Sequence, residues 1–297
     1  MEDKNQSKAM ALGLVAVLLW STVATAFKLA LQHLTPLQLL AIASMTSLVL
    51  LLVVTLYKHS LHSILRYWRA APWRFLLLGA INPLLYYVIL FQAYNLLPAQ
   101  QAQPLNYTWA LVLSLLAVPL LGQKLHRADI IALVLGYFGV LIISTRGDLL
   151  GLQFDSGLGV LLALLSTVIW ALYWILNVQN KAPADVSLLL CFVHGTPLVL
   201  LAAWWWDGIP LNTEGMLSAI YVGVFEMGVT FILWMNAMKL ATYTSRVSNL
   251  IFLSPFLSLI LIHYILGEEI GISTFVGLVL IVLAVSYQQY SARRNAS

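Results

Sequence analysis

Residues 157–178 read GLGVLLALLSTVIWALYWILNV, with no charged side chain from end to end. A helix needs about 20 consecutive apolar residues to cross the hydrocarbon core of a bilayer, so this stretch alone is long enough to span. Only helices and closed barrels satisfy their backbone in lipid. The run is about twice the length of a barrel strand and lacks strict alternation, which leaves a helix. Outward from it, comparable runs extend from Ala9 to Leu31, Pro36 to Tyr57, Trp73 to Leu96, Gln100 to Leu121 and Ala128 to Thr145 on one side. On the other they extend from Val186 to Trp206, Gly215 to Met238, Ser245 to Leu266 and Gly271 to Gln289. The expected fold class is all-α integral membrane, with ten transmembrane helices. They leave only short connections, and no separate soluble domain fits between them.

Composition agrees. Of 297 residues, 61% are hydrophobic and 9% charged, against roughly 25% charged in soluble chains. The pI near 9.1 raises nucleic acid as a partner, but the basic residues lie between apolar runs and form no patch. They report topology instead. With the N-terminus cytoplasmic, Lys4, Lys8, Lys58, Arg66, Arg69, Arg74, Lys124, Arg127, Lys181, Lys239, Arg246, Arg293 and Arg294 fall inside, leaving only Lys28 and Arg146 of the fifteen Lys and Arg outside. This bias places both termini in the cytoplasm. Lys4, Lys8 and Ala24-Thr25-Ala26 have the outline of a cleavable signal. However, the first run is interrupted by Trp20-Ser21-Thr22 and has an internal counterpart, which a removable leader would not need. The one cysteine, Cys191, excludes a disulfide framework and is expected to be inert packing.

The counterpart is Ser166-Thr167-Val168 within the opening stretch. Sliding the chain on itself by about 145 residues lays Ser21-Thr22-Val23 on it and brings other features into register. Gly13 falls near Gly157, Gly79 near Gly223, Ala93 near Ala237, and Gly122-Gln-Lys-Leu125 on Gly267-Glu-Glu-Ile270. The expected domains are a first five-helix repeat over residues 1–151 and a second over 152–297. An odd number of spans per repeat makes the second enter from the opposite face, so the two are inverted. Inverted repeats can exchange conformations around a site near the midplane, which is the architecture of alternating access.

This pattern resembles the EamA branch of the drug/metabolite transporter superfamily over nearly the whole chain. The carriers are Leu18-Leu-Trp-Ser-Thr22, Leu105-Asn-Tyr-Thr-Trp109, Leu121-Gly-Gln-Lys-Leu125, Ile169-Trp-Ala-Leu-Tyr173 and the Gly-Glu turn Leu266-Gly-Glu-Glu-Ile270. Gln123 replaces the family's acid in the first half. Within the branch, the Asn-Tyr-x-Trp and Gly-Gln-Lys segments are most similar to the aromatic amino acid exporters. The resemblance implies a bacterial inner-membrane carrier whose cavity is lined by aromatic side chains from helices of this kind.

The residues themselves name the candidates. Trp and Tyr gather at membrane interfaces, and Trp68, Trp73 and Trp204 to Trp206 fit such belts. Trp20, Trp109 and Trp170 lie near mid-helix, where an indole N–H needs a protein or solute partner. Tyr86, Tyr87, Tyr107 and Tyr173 share that demand. Packing and a solute cavity are both open to each aromatic, and Trp20, Tyr86, Tyr107, Trp109, Trp170 and Tyr173 are expected to line a cavity, with Ser21, Asn82, Asn106 and Asn249 as polar companions. On an ideal helix Asn106 and Trp109 share a face and Tyr107 is turned about 100° away. Pro83 and Pro104 are expected to kink their helices. Apart from Asp129 at the very start of its run, Glu226 is the one carboxylate inside an expected span, which makes it a functional candidate. Two roles are open: a site for a proton or a solute ammonium, or a pair with a hydroxyl or a distant base such as Lys239. His194 and His263 are expected to be hydrogen-bonded packing.

No H-E-x-x-H, Walker loop, G-x-S-x-G or dinucleotide fingerprint occurs in the sequence. The expectation is a secondary carrier rather than an enzyme, with no cofactor or metal. It is taken to be a monomer whose partners are a small solute and the lipid bilayer, exporting an amino acid or related metabolite. Efflux of drug-like cations by proton exchange at Glu226 is the alternative within the class. A membrane enzyme or scaffold is the alternative outside it.

Overall fold

A computed structural model describes residues 5–122, 127–151, 154–178, 180–208, 213–242, 247 and 249–296, with the backbone alone for Val178, Met235, Lys239, Asn249 and 292–296. The regular elements among these residues are helices: α1 (Gln6–Leu31), α2 (Pro36–Lys58), α3 (Leu61–Ala70), α4 (Pro72–Leu96), α5 (Ala99–Leu121), α6 (Arg127–Ser144), α7 (Gly157–Val178), α8 (Ala184–Trp206), α9 (Thr213–Met238), α10 (Leu250–Leu266) and α11 (Ile272–Ala296). Among the described residues, nine helices are long and apolar enough to cross a membrane, and α10 is a shorter apolar helix. The start of the run expected from Ser245 lies outside the described residues. Helix α3 was not expected from the apolar runs. Ser60 caps it by accepting from Ser63 N at 3.3 Å, Ile64 is buried, and its 10 residues are too few to span.

Local chemistry sets the sharp corner before α2. Thr35 Oγ1 accepts from Gln38 N, and the Gln38 side chain accepts from Thr35 N, each at 3.2 Å. This reciprocal capping box, with Pro36 at the first helical position, satisfies donors the helix start would otherwise leave open.

The helices form two compact units. The first comprises Met1–Val88 and Asn180–Leu266, the second Ile89–Gln179 and Gly267–Ser297. Each draws elements from both halves of the chain.

In the first unit, the Thr35 hydroxyl donates to Asp207 at the end of α8. At the opposite end of α2, His59 Nε2 lies 3.0 Å from Asp185 Oδ2 at the start of α8, so the two helices run antiparallel. Backbones cross closely where side chains are absent. A Cβ on Gly79 of α4 would lie 2.5 Å from the Cys191 carbonyl of α8, one on Gly195 would strike the Gly79 carbonyl, and one on Gly223 of α9 would strike the Ala43 carbonyl of α2. In the second unit, a Cβ on either Gly139 of α6 or Gly277 of α11 would sit 2.6 Å from the other's carbonyl oxygen. Small residues at such crossings let helices approach to backbone distance in lipid.

Several spans are broken. In α4 the chain takes a π turn over Ala80–Leu85, where Asn82 leaves helical geometry at φ −137° and ψ 114° beside Pro83, which has no N–H to give. In α9 the helix is interrupted at Glu226–Gly228, with Gly228 at φ −125° and ψ −93°. The carbonyls loosened there find side-chain donors: the Thr230 hydroxyl bonds Phe225 O and Ser47 Oγ bonds Met227 O at 3.0 Å. Helix α5 breaks at Tyr107–Thr108, and α10 opens with a 3₁₀ turn at Asn249–Leu253 and closes with a π turn at Ile262–Leu266. Gly122 and Gly267, at φ 66° and 70°, follow the ends of α5 and α10 in the left-handed conformation that glycine adopts most readily.

Candidate functional site

In the second unit, α7 carries Ser166, Trp170, Tyr173 and Trp174 at helical spacing, a single stripe down one face. Trp170 stacks on Tyr173 at 5.3 Å and 21° between ring planes, and meets Trp174 edge to face at 6.0 Å. Trp109 of α5 lies nearly parallel to Trp174, 6.3 Å away and 14° inclined. One turn earlier, Asn106 Nδ2 donates to Ser166 Oγ at 3.0 Å, and that hydroxyl donates on to Ala163 O at 2.6 Å. Asn106 and Trp109 thus both reach α7, as the shared face required, although the helix breaks between them at Tyr107–Thr108. Trp170 and Tyr173 are buried, at 8% and 3% exposure, whereas Asn106, Tyr107 and Trp109 are half-buried. The result is an aromatic wall with an amide at one end. Trp174 was not among the sequence candidates, although its position one turn after Trp170 was a usable signal.

In the first unit, one hydrogen bond joins the two broken helices α4 and α9. Tyr87 donates its hydroxyl to Glu226 Oε1 at 3.2 Å. Its ring meets Tyr86 edge to face at 4.7 Å. Asn82, one π turn before Tyr87, is 2% exposed, and its Oδ1 has no hydrogen-bond partner. Glu226 is half-buried. The Lys239 side chain, weighed above as a base for Glu226, lies outside the described residues, as does the Asn249 side chain.

Trp20 and Ser21 are placed differently. Trp20 is half-buried and packs against Phe231 and Trp234 of α9 at 5.5 and 5.4 Å, while the Ser21 hydroxyl folds back onto Leu18 O at 2.6 Å. One turn on, α1, α9 and α10 border a groove of about 380 Å³ lined by Thr22, Thr25, Ser218, Tyr221 and apolar neighbours. It holds no sequence candidate, and Leu217 and Ile265 at its rim are 72% and 54% exposed. The Thr22 and Tyr221 hydroxyls already bond one another at 2.7 Å. The polar group at Glu226 and the wall at Trp109 therefore carry more chemistry than the groove does.

His194 accepts the Trp68 indole N–H at Nε2, 3.1 Å, and its Nδ1 lies 2.8 Å from Leu190 O. A carbonyl can only accept, so Nδ1 carries the proton and both ring nitrogens are occupied. Trp68, read above as an interfacial aromatic, thus has a partner within the fold. Trp73 and Trp204 to Trp206 are 61–79% exposed, as belt residues should be, and Cys191 is fully buried.

The Gly-Glu turn has a visible task. Glu268 accepts from Ala99 N at 2.9 Å and Gln100 N at 3.1 Å, one with each carboxylate oxygen, and so caps the first turn of α5. Gln100 answers: its amide donates to Glu269 O at 2.7 Å and accepts from Gly271 N and the Thr274 hydroxyl at 3.1 and 3.0 Å. Beside this turn Arg146 grips Asp155 with two nitrogens, at 2.6 and 2.9 Å. The corresponding first-half position, Gln123, lies outside the described residues.

The family model of the EamA-like transporter family matches the chain twice, over residues 7–145 and 157–287. The uncharacterized transporter YvbV of Bacillus subtilis is 26% identical over 276 residues, covering 91% of this chain and 87% of its own. The aromatic amino acid exporter YddG of Ancylobacter novellus is 25% identical over 238 residues, covering 79% and 81%. A crystal structure with 23% identity shares the fold at a TM-score of 0.68, over 99% of this chain and all of its own. The long apolar helices and the doubled match agree: the chain belongs to the EamA-like transporter family of multi-pass membrane proteins.

Proposed function

We propose that this protein is a secondary transporter exporting an amino acid or related small metabolite, an aromatic one by preference, through alternating access of two inverted five-helix repeats. Family membership and the names of its relatives point to a transporter rather than an enzyme. The observation that carries the substrate reading is the wall of Trp109, Trp170, Tyr173 and Trp174 with Asn106 at its end. Stacked aromatic faces beside a few fixed donors suit a planar, amphipathic solute.

Three features support the inverted repeat. The breaks at Asn82 and Glu226 fall at equivalent positions of the third span of each half, and the left-handed glycines Gly122 and Gly267 close the fourth. Discontinuous helices in matching positions are the usual pointer to a carrier's binding region. Helix directions also fit alternate crossing of the bilayer. Asn106 to Ser166 and Trp109 to Trp174 advance together, so α5 and α7 run parallel, while α2 and α8 run antiparallel. With ten spans, the lysine and arginine distribution favours both termini in the cytoplasm, and the bacterial relatives favour an inner membrane.

A strain overexpressing the protein should resist toxic aromatic amino acid analogues, since an exporter lowers their internal level. Sensitisation would instead indicate import, and no change across aromatic and aliphatic analogues would remove the amino acid reading. The Tyr87–Glu226 contact favours one second reading, efflux of drug-like cations by proton exchange. Selective resistance to such cations, lost in Glu226→Gln, would establish it.

A further inference from the structure

We propose that the breaks in α4 and α9 form a recognition site for a primary ammonium group, with Glu226 as its counter-charge and Asn82 Oδ1 as a second acceptor. The inference rests on the transporter reading above and deepens it by naming the chemical group that the first unit binds.

The argument is an inventory of donors and acceptors. An ionised Glu226 offers acceptor sites on both oxygens, and Tyr87 supplies one donor, to Oε1 at 3.2 Å. Asn82 is 2% exposed and its Oδ1 has no donor at all. The loosened carbonyls of the α9 break are already bonded, to Thr230 and Ser47, so they do not compete for a ligand. Two acceptors at the breaks are therefore left open, the second oxygen of Glu226 and Asn82 Oδ1. An ammonium brings three donors and no acceptor, together with the charge that an intramembrane carboxylate needs to offset its desolvation. A carboxylate or phosphate ligand would meet a charge of the wrong sign at Glu226. Tyr86, edge to face with Tyr87 at 4.7 Å, adds a ring beside the site, and aromatic faces attract cations. Tyr87 is a positioning residue, holding one oxygen of Glu226 so that the other stays available.

The test uses the full chain in lipid nanodiscs and titrates phenethylamine, which keeps the ammonium, against 3-phenylpropanoate, which lacks it. The wild type should bind phenethylamine and not 3-phenylpropanoate. Glu226→Gln should weaken amine binding about 10- to 100-fold, the range expected on losing a charge-assisted contact, and Asn82→Leu should weaken it less. Tyr87→Phe should weaken amine binding by less than Glu226→Gln does and shift the pH profile of that binding, which a merely structural role would not move. Glu226→Gln is nearly isosteric, and unchanged thermal unfolding shows that it folds. Equal binding of both ligands, no binding of the amine, or undiminished binding in Glu226→Gln overturns the ammonium site. Failure of the transporter reading looks different: proteoliposomes of the wild type that move no member of an amino acid mixture in either direction.

Discussion

Of the two adjacent acids in the Gly-Glu turn, only one is built into the fold, and replacing each in turn is a sharp test of its role. Glu268 satisfies the first two amides of α5, whose Ala99 is fully buried, and places a negative charge at a helix start. Losing such a cap costs about 1 kcal/mol, up to about 2, and losing a charge at the positive end of the helix dipole adds about 0.3–1 kcal/mol. Glu268→Ala should therefore destabilise by about 2 kcal/mol. At about 2 °C per kcal/mol for a chain of this size, the midpoint of thermal unfolding in mild detergent should fall by about 4 °C. Glu268→Gln keeps an acceptor oxygen but turns an amide N–H₂ toward an orphan donor, so it should recover no more than about half of that loss. Glu269 is exposed and contributes only its backbone carbonyl, to Gln100. Glu269→Ala should therefore stay within about 0.5 kcal/mol of the wild type. Equal losses for the two acids, or no loss for either, would refute the capping argument and leave the Gly-Glu turn without a structural reason.

The remaining expectations concern the wall, the histidine and the topology. Trp109→Ala should reduce export of a transported aromatic solute by about tenfold or more, taking about 1.5 kcal/mol for a lost stacking partner. Trp20→Ala should also impair export, and Trp205→Ala, whose ring is 72% exposed, should leave it unchanged at equal expression. Equal losses at all three would remove the assignment. Replacing His194 by Gln, whose side-chain oxygen can still accept from Trp68, should preserve stability better than His194→Leu by about 1–2 kcal/mol, the cost of stranding the indole donor. Indistinguishable unfolding of the two variants would show that the bond contributes nothing. Cysteine labelling at positions 2 and 297 from either side of the membrane should find both ends cytoplasmic, and opposite labelling would end the inverted-repeat reading.

The spans were legible because their signal is additive. Sixty-odd per cent hydrophobic composition, gathered into runs of helical length, leaves the backbone no other solution in lipid. Expected starts such as Pro36 and Gly157 recur as observed ones. Pro83 foretold the kink in α4, since a missing N–H is written in the residue type. The break in α9 was not foretold. Neither Glu226 nor Met227 is a helix breaker, and Gly228 alone is a weak signal that helices often tolerate. Helix α3 was missed because the same Arg66 and Arg69 that fixed the topology made its segment read as a charged loop. At the candidate site, the sequence reading named Trp109 and Trp170 but not Trp174, the ring that both of them meet. Which rings meet depends on helix rotation, and a propensity argument does not fix rotation. Asn82 and Glu226 lie 144 residues apart, the same offset that relates Gly79 to Gly223. A hydroxyl was one of the partners open to Glu226, but that Tyr87 supplies it is a matter of a few ångströms that spacing does not encode.

The interleaving of the two units has a consequence for how the chain is made. Residues 1–88 belong with 180–266, so the face of α4 bearing Gly79 has no Gly195 to rest on while residues 89–179 are still leaving the ribosome. At about 5–20 residues per second, that wait is on the order of 5–20 s. During it, three early helices sit in the bilayer with their small-residue seams bathed by acyl chains. Biogenesis must hold them apart from other nascent membrane proteins for that interval. A fragment ending at residue 151 would keep those seams open permanently and should be cleared by membrane quality control.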